Sequence, residues 1–195
     1  MSNWRLLIKM QIIFLPTDVT IVVDIIAWVI FHLGIGYRTS RLPVTRFDPN
    51  KIWYQTFPWE KGGEIYEKIF HVRSWKKYIP SGGKIYPNTF SIQKIKDVNL
   101  EYLTRWLIES CRAEYCHLMM ILPGFLFFLW NSVTVGWWML VYAIVNNLVP
   151  IVLQRYNRPR IRRMIARIQN VSTQQLNVST VKARQNEKEI LNPDC

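Results

Sequence analysis

Two carboxylates, an arginine and a histidine on one predicted helix are the residues best suited to chemistry: Glu109, Arg112, Glu114 and His117. Glu114 and His117 are three residues apart, so their side chains are neighbours on a helix. A carboxylate that accepts an imidazole N–H fixes the tautomer and makes the other ring nitrogen a better base. The spacing predicts His117 as a general base oriented by Glu114, with Glu109 and Arg112 in support.

A base of this kind can deprotonate a hydroxyl that attacks a thioester. The sequence has no Gly-x-Ser-x-Gly nucleophile motif, so the acyl group would pass directly to its acceptor. Two other interpretations stay open. Glu-x-x-His is half of a di-iron site, but it has no second copy and we expect no metal. Alternatively, the four residues form a salt-bridged structural face. His32 and His71 are expected at interfacial positions instead.

Unbroken apolar runs must position these residues, and they indicate an all-α membrane protein with about three transmembrane helices. The first run covers residues 10–33, enough to cross a bilayer of about 30 Å. Asp18 and Asp24 inside it should face protein, water or the interface. A helix that starts at Pro16-Thr17-Asp18 would shorten this span to residues 19–33. No small-residue cleavage site follows, which favours a retained helix over a signal peptide.

A helical hairpin is predicted for the C-terminal half. Apolar runs at residues 118–130 and 133–153 are joined only by Asn131 and Ser132, and the helical pattern extends back through residues 100–116. Pro123-Gly124 should kink the first of these helices, and Pro159 should end the second. The predicted segments are an N-terminal transmembrane helix (1–37), a cap (38–99), the hairpin that carries the site (100–160), and a basic helix with a mobile polar tail (161–195).

Positive charge predicts the orientation of the chain. The 25 Lys and Arg residues give a net charge of +12, and most lie in residues 38–112 or after Leu153. With three spans these regions share a side, which the positive-inside rule makes cytoplasmic. Topology and anionic headgroups thus explain the charge, and we expect no nucleic-acid partner. The cap is rich in Trp and Tyr and should lie on the membrane, with an amphipathic helix at residues 64–75.

Several motifs in this chain resemble one family. They are Arg112-Ala113-Glu114 with His117, Val72-Arg73-Ser74-Trp75-Lys76-Lys77, Tyr142-Ala143 with Asn147, and Gln154-Arg155-Tyr156-Asn157-Arg158-Pro159-Arg160. Together they are similar to the glycosyl-diaponeurosporenoate acyltransferase family, small integral membrane enzymes of staphyloxanthin-type carotenoid biosynthesis. The likeness covers most of the cap and the whole hairpin.

The resemblance implies an enzyme of the bacterial cell membrane. It would move a fatty acyl group from an acyl thioester such as acyl-CoA to a sugar hydroxyl of a glycosylated carotenoid or another glycolipid, with no further cofactor. The guanidinium fork of arginine matches phosphate geometry. The residues expected to contact donor phosphates are therefore Arg155, Asn157, Arg158, Arg160, Arg73 and Lys76.

A non-enzymatic alternative remains beside this interpretation. Basic residues after a last helix are also ordinary membrane anchors. The chain would then be a small subunit that stabilises a larger membrane complex, with the Glu109–His117 face buried against a partner. Three spans enclose little space for a long lipid, which is compatible with an oligomer, a membrane-protein partner or lateral access from the bilayer.

Overall fold

The computed structural model describes residues 11–79, 90–92 and 95–191, with side chains described as far as residue 185. These regions consist of helices and their connections, without a strand. Three helical spans are long and apolar enough to cross a membrane: Thr17–Arg41, Leu100–Leu129 and Val133–Gln185. The predicted all-α membrane architecture is confirmed.

The first helix, α1 (Thr17–Arg41), begins directly after Pro16 and carries Asp18 in its first turn, where the helix dipole favours negative charge. The prediction of a start near residue 17 is therefore confirmed, and a start at residue 10 is wrong. The helix also continues beyond residue 33 and ends before Pro43, which disfavours helical backbone in the residue that precedes it.

Asp24 joins α1 to the hairpin turn. Its carboxylate is 6% exposed, and Oδ1 accepts hydrogen bonds from Trp130 Nε1 at 2.7 Å and Asn131 Nδ2 at 2.8 Å. One turn later, the Trp28 ring stacks on Phe127 with centroids 4.6 Å apart. A carboxylate within hydrocarbon needs such partners. The expectation that Asp24 faces protein is confirmed, and α1 packs as part of the bundle.

The hairpin has the predicted turn. Helix α4 (Leu100–Ile121) is capped at its N-terminus by Asn99, whose side chain accepts from the Tyr102 backbone N–H at 2.7 Å. At Leu122 the helix changes to a 3-10 helix, Leu122–Leu129, so Pro123-Gly124 distorts the helix and does not end it. A Cβ on Gly124 would lie 3.1 Å from Ala143 Cβ, so this glycine lets the two arms of the hairpin pack closely.

The last helix, α5 (Val133–Leu191), continues through both Pro150 and Pro159. The prediction that Pro159 ends the helix is wrong, and the segment predicted as a mobile tail is helical as far as Leu191. Packing explains the continuation, because Ile161, two residues after Pro159, is 2% exposed and packs with Leu103, Trp106 and Leu107 of α4. Tertiary contacts on both sides of the proline outweigh its missing N–H.

The cap folds back onto α5. It consists of short 3-10 turns (Val44–Arg46, Ile52–Tyr54 and Pro58–Gly63) followed by α2 (Glu64–Phe70) and α3 (Val72–Trp75). The single helix predicted at residues 64–75 is wrong, because His71 (φ 49°) breaks it into two. Gly63 has φ +89°, and a Cβ there would lie 3.1 Å from the Tyr156 carbonyl oxygen. Val72 is fully buried against Tyr156 and Val152.

Candidate active site

Glu114 belongs to a buried ion-pair network. Its Oε1 accepts from Arg155 Nε at 2.8 Å and its Oε2 from Arg158 Nη2 at 2.5 Å, while the side chain is 2% exposed. Both carboxylate oxygens thus bind arginines of α5, and the predicted carboxylate–imidazole pair with His117 is wrong. The physical reason is that hydrogen bonds between two charged groups are stronger than those to a neutral imidazole.

A second buried carboxylate, Glu60 of the cap, completes this network. Glu60 is 1% exposed, and its Oε1 accepts from Arg155 Nη1 at 2.8 Å and from the Tyr66 hydroxyl at 2.6 Å. Burial and the hydrogen bond to Glu60 raise the pKa of Tyr66. Arg155 also donates to the Trp53 carbonyl at 2.6 Å. One guanidinium therefore connects α4, α5 and two parts of the cap. Sequence analysis missed Glu60, which stands among aromatic residues with no helical periodicity around it.

Arg158 lies at the centre of the same network and is 2% exposed. Besides Glu114, its guanidinium contacts the Ser110 hydroxyl at 3.3 Å and the Tyr54 carbonyl at 3.2 Å. Arg155 and Arg158, both predicted to bind donor phosphates, therefore face two carboxylates. We call Glu60, Glu114, Arg155 and Arg158 the ion-pair network. Its two positive and two negative charges balance.

Arg112, supported by Glu109, joins α4 to the end of α1. Glu109 pairs with Arg105 at 2.9 Å and with Arg112 at 3.3 Å. Arg112 also donates to the Leu42 carbonyl at 3.2 Å and lies over the Phe47 ring, 5.5 Å from its centroid. These partners place the two predicted supporting residues in a salt-bridged face, which is the structural interpretation left open for this part of the helix.

His117 is oriented by Asn147 of α5. Its Nδ1 lies 2.9 Å from Asn147 Oδ1, and Asn147 Nδ2 donates to the Ala143 carbonyl at 2.9 Å. Since a carbonyl only accepts, the amide orientation is fixed, and Oδ1 must accept from a protonated Nδ1. The neutral imidazole then carries its lone pair on Nε2. Asn147 is 1% exposed, so the pair is enclosed between α4 and α5.

His32 of α1 has the same tautomer. Its Nδ1 lies 2.9 Å from the Trp28 carbonyl oxygen, which again requires a proton on Nδ1. Its Nε2 is buried and has no hydrogen-bond partner within the described part of the chain. His32 is related to His117 through packing on α5, since its ring contacts Trp28, Trp28 contacts Tyr142, and Asn147 on the same helix holds His117. The sequence predicted an interfacial His32 and did not indicate these contacts, which depend on how α1 packs on α5. His71, in contrast, is exposed in the cap.

Three of the remaining predicted phosphate ligands, Arg73, Lys76 and Arg160, lie in a basic cluster where the segment after α3 meets α5. The Arg160 guanidinium lies 3.6 Å from the centroid of the Tyr156 ring, and Lys76 Nζ lies 5.4 Å from it. Burial and the charges of Arg160 and Arg73 lower the pKa of Lys76. Within this cluster, defined as Arg73, Lys76, Arg160 and Arg163, the electrostatic partners include one carboxylate, Glu67. Asn157 is partly buried on the intervening turn of α5.

An apolar hollow of about 310 Å³ lies on the outer face of α5, lined by Trp138, Val141, Tyr142, Val145 and Asn146. Most of these side chains are exposed, so the hollow opens on the outer surface of the bundle. The Tyr142 ring lies 5.2 Å from Trp28, whose ring in turn lies 5.2 Å from His32. The hollow therefore adjoins the histidines through a short chain of ring contacts.

Three apolar spans, a packed cap and an imidazole held inside the bundle define a small helical membrane protein. Comparisons with known proteins identify the family within this class. The chain belongs to the glycosyl-4,4'-diaponeurosporenoate acyltransferase family, whose sequence profile matches residues 49–167. The matched region contains the ion-pair network, His117 and Asn147, and the basic cluster.

Similar proteins carry the same name. The glycosyl-4,4'-diaponeurosporenoate acyltransferases of Staphylococcus aureus strains MRSA252 and N315 are each 33% identical to this chain over 138 residues, which is 71% of this chain and 83% of theirs. The protein of strain USA300 is 32% identical over the same length. No solved structure matches the chain. The family predicted from the motifs is confirmed.

Proposed function

We propose that this protein transfers a fatty acyl group from an acyl thioester to a sugar hydroxyl of a glycosylated carotenoid or related membrane glycolipid. The observation that carries the proposal is the His117–Asn147 pair, which leaves Nε2 of His117 as an oriented base inside the bundle. The family supports the reaction class, because its relatives are named as acyltransferases of a glycosylated carotenoid acid.

In the proposed reaction, Nε2 of His117 accepts the proton of the sugar hydroxyl while its oxygen attacks the thioester carbonyl carbon. The C–S bond then breaks, and the leaving thiolate takes the proton back from Nε2. An ester and a free thiol result, and the imidazole is neutral again. Asn147 Oδ1 holds the Nδ1–H throughout and stabilises the transient imidazolium, as orienting groups do for catalytic histidines.

In this proposal Glu114, Glu109 and Arg112 are positioning residues. Glu114 fixes Arg155 and Arg158 and so holds α5 in register with α4 and the cap. Arg112, paired with Glu109, holds the end of α1 against the middle of α4. These contacts set the distance between α1, α4 and α5 on which the imidazole geometry depends.

The donor's phosphates are assigned to the basic cluster, since Arg155 and Arg158 already face carboxylates. Arg160 and Asn147 are thirteen residues apart on α5, which corresponds to about 20 Å along the helix. A thioester carried on a long arm below a phosphate group, as in acyl-CoA, suits that separation. The apolar hollow suits the hydrocarbon part of a lipid, which would enter laterally from the bilayer.

The test is an acyl-transfer assay with the full chain reconstituted in vesicles that contain a glucosyl lipid, with acyl-CoA as donor and the ester measured by mass spectrometry. We expect His117→Ala to lower kcat by about 100- to 10,000-fold. Asn147→Asp, which keeps an acceptor for the Nδ1–H, should retain more activity than Asn147→Leu.

His71→Asn is the matched control, because this histidine is exposed and asparagine tolerates its left-handed backbone. A His117→Ala protein that inserts normally and turns over like wild type would contradict the assignment. Loss of a stable assembly with a second membrane protein in His117→Ala, without any acyl transfer by wild type, would instead support the subunit alternative.

A further inference from the structure

We propose that His32 is a second sugar-binding imidazole, which holds the hydroxyl next to the one that His117 deprotonates and so selects the position of acylation. The inference rests on the proposed function, and it adds a residue of α1 to a site otherwise built from α4 and α5. It assigns a ligand class, adjacent hydroxyls of a sugar, to the pair of histidines.

The first observation is the matched tautomer of the two rings. Trp28 carbonyl fixes the proton of His32 on Nδ1, and Asn147 fixes that of His117 on Nδ1. Each ring consequently presents Nε2 as a hydrogen-bond acceptor. The two rings come from different helices, and both lie against the same stretch of α5. His32 contacts Trp28, Trp28 contacts Tyr142 of α5, and Asn147, five residues after Tyr142, holds His117.

The second observation is that Nε2 of His32 is buried without a partner in the described structure. A buried acceptor that has lost water and gained no donor is unfavourable, so a bound donor would stabilise it. An acyl chain has no O–H or N–H, and the nearest donor of acyl-CoA is a single amide N–H two carbons beyond the thioester sulfur. A sugar has several hydroxyls on neighbouring carbons. One of them can bind His32 while the next gives its proton to His117.

The position of His32 also fits a lipid-linked sugar. His32 stacks beside Trp28, which contacts Tyr142 at the edge of the apolar hollow. A hydrocarbon chain in the hollow would place its sugar near these aromatic rings. Aromatic rings next to hydrogen-bonding groups suit the mixed apolar and hydroxyl surface of a sugar.

The experiment compares wild type, His32→Ala and His32→Gln in vesicles with a glucosyl lipid and acyl-CoA, and determines which hydroxyl carries the ester. His32→Ala should lower kcat/KM for the glucosyl lipid about tenfold or more and give a mixture of positional isomers. His32→Gln, which returns an amide oxygen near the position of Nε2, should recover part of both properties. KM for acyl-CoA should stay near its wild-type value in each.

Binding of the glucosyl lipid, measured in a detergent without a sugar headgroup, separates the inference from the function on which it rests. Binding that is about tenfold weaker in His32→Ala, with no ester formed by any variant, would support the sugar site and overturn acyl transfer. Ester formation with wild-type kinetics and one isomer in His32→Ala would overturn the role of His32 and leave acyl transfer standing. His71→Asn should match wild type in both assays.

Discussion

At the scale of single residues, Arg158 shows how strongly this bundle depends on buried charge. It is 2% exposed and lies 2.5 Å from Glu114, which is equally buried. Removing one member of such a pair leaves the other charged and without its partner in a medium of low polarity. We expect Arg158→Met to lower the free energy of unfolding by about 3–5 kcal/mol, measured by thermal unfolding in detergent.

The matching double variant tests whether the loss comes from the pair. Glu114→Gln combined with Arg158→Met should cost clearly less than the sum of the two single changes, because neither charge is then left alone. Arg167→Met, an exposed arginine of α5, should leave stability within about 0.5 kcal/mol of wild type. Additive effects of the two network changes would show that Glu114 and Arg158 do not stabilise each other.

The same residues show what sequence could and could not predict about the site. The three-residue spacing of Glu114 and His117 correctly placed both side chains on α4, but their partners come from another helix. Asn147 is thirty residues away from His117 and Arg155 is forty-one from Glu114. No local rule links positions that far apart. The motifs that resemble the family include all of these residues, but they do not indicate which side chains contact each other.

At the scale of helices, the arginines of α5 near α3 fall into two groups, those paired with carboxylates and those in the basic cluster. Arg155 and Arg158 are committed to carboxylates, while Arg160 shares the basic cluster with Lys76 and has an excess of positive neighbours. Repulsion among these cations is relieved when an anion binds between them. We expect Lys76→Gln and Arg160→Gln each to raise KM for acyl-CoA about tenfold, because each removes a charge-assisted contact to phosphate.

A donor without phosphate provides the control for that prediction. The acyl thioester of N-acetylcysteamine has the same reacting bond but no phosphate group, so both variants should use it as wild type does. Lys77→Gln is the matched control variant, since Lys77 lies over Tyr78 with its Nζ 4.9 Å from the ring centroid and outside the cluster. An equal loss with both donors would mean that the cluster supports the fold instead of binding phosphate.

Helix boundaries were predictable where local chemistry decides them. Pro16 and Asp18 mark the start of α1, and Asn131-Ser132 marks the turn, and both signals were correct. The end of α5 was not predictable, because Pro159 is a local stop signal that packing overrides. Ile161 is buried against α4, while Val72 and Gly63 of the cap meet the same helix near Tyr156. These contacts join segments far apart in sequence.

At the scale of the whole molecule, the two ends of the bundle differ in charge. The hairpin turn and the start of α1 lie together, since the Ile12 backbone N–H donates to the Leu129 carbonyl at 2.7 Å. The cap, the ion-pair network and the basic cluster occupy the opposite end. Between Arg112 and Arg155 the sequence has no Lys or Arg. The positive-inside rule therefore favours the cap end as the cytoplasmic one, where acyl-CoA is available.

Labelling with a membrane-impermeant maleimide tests this orientation in a background where the three native cysteines are replaced by alanine. Ser132→Cys in the hairpin turn and Lys61→Cys in the cap are both at exposed positions. Ser132→Cys should react in intact cells, and Lys61→Cys only after the membrane is permeabilised. The opposite result would place the basic cluster outside the cell, away from any cytoplasmic thioester. The donor assignment would then fail, although His117 and Asn147, inside the bundle, would still form their pair.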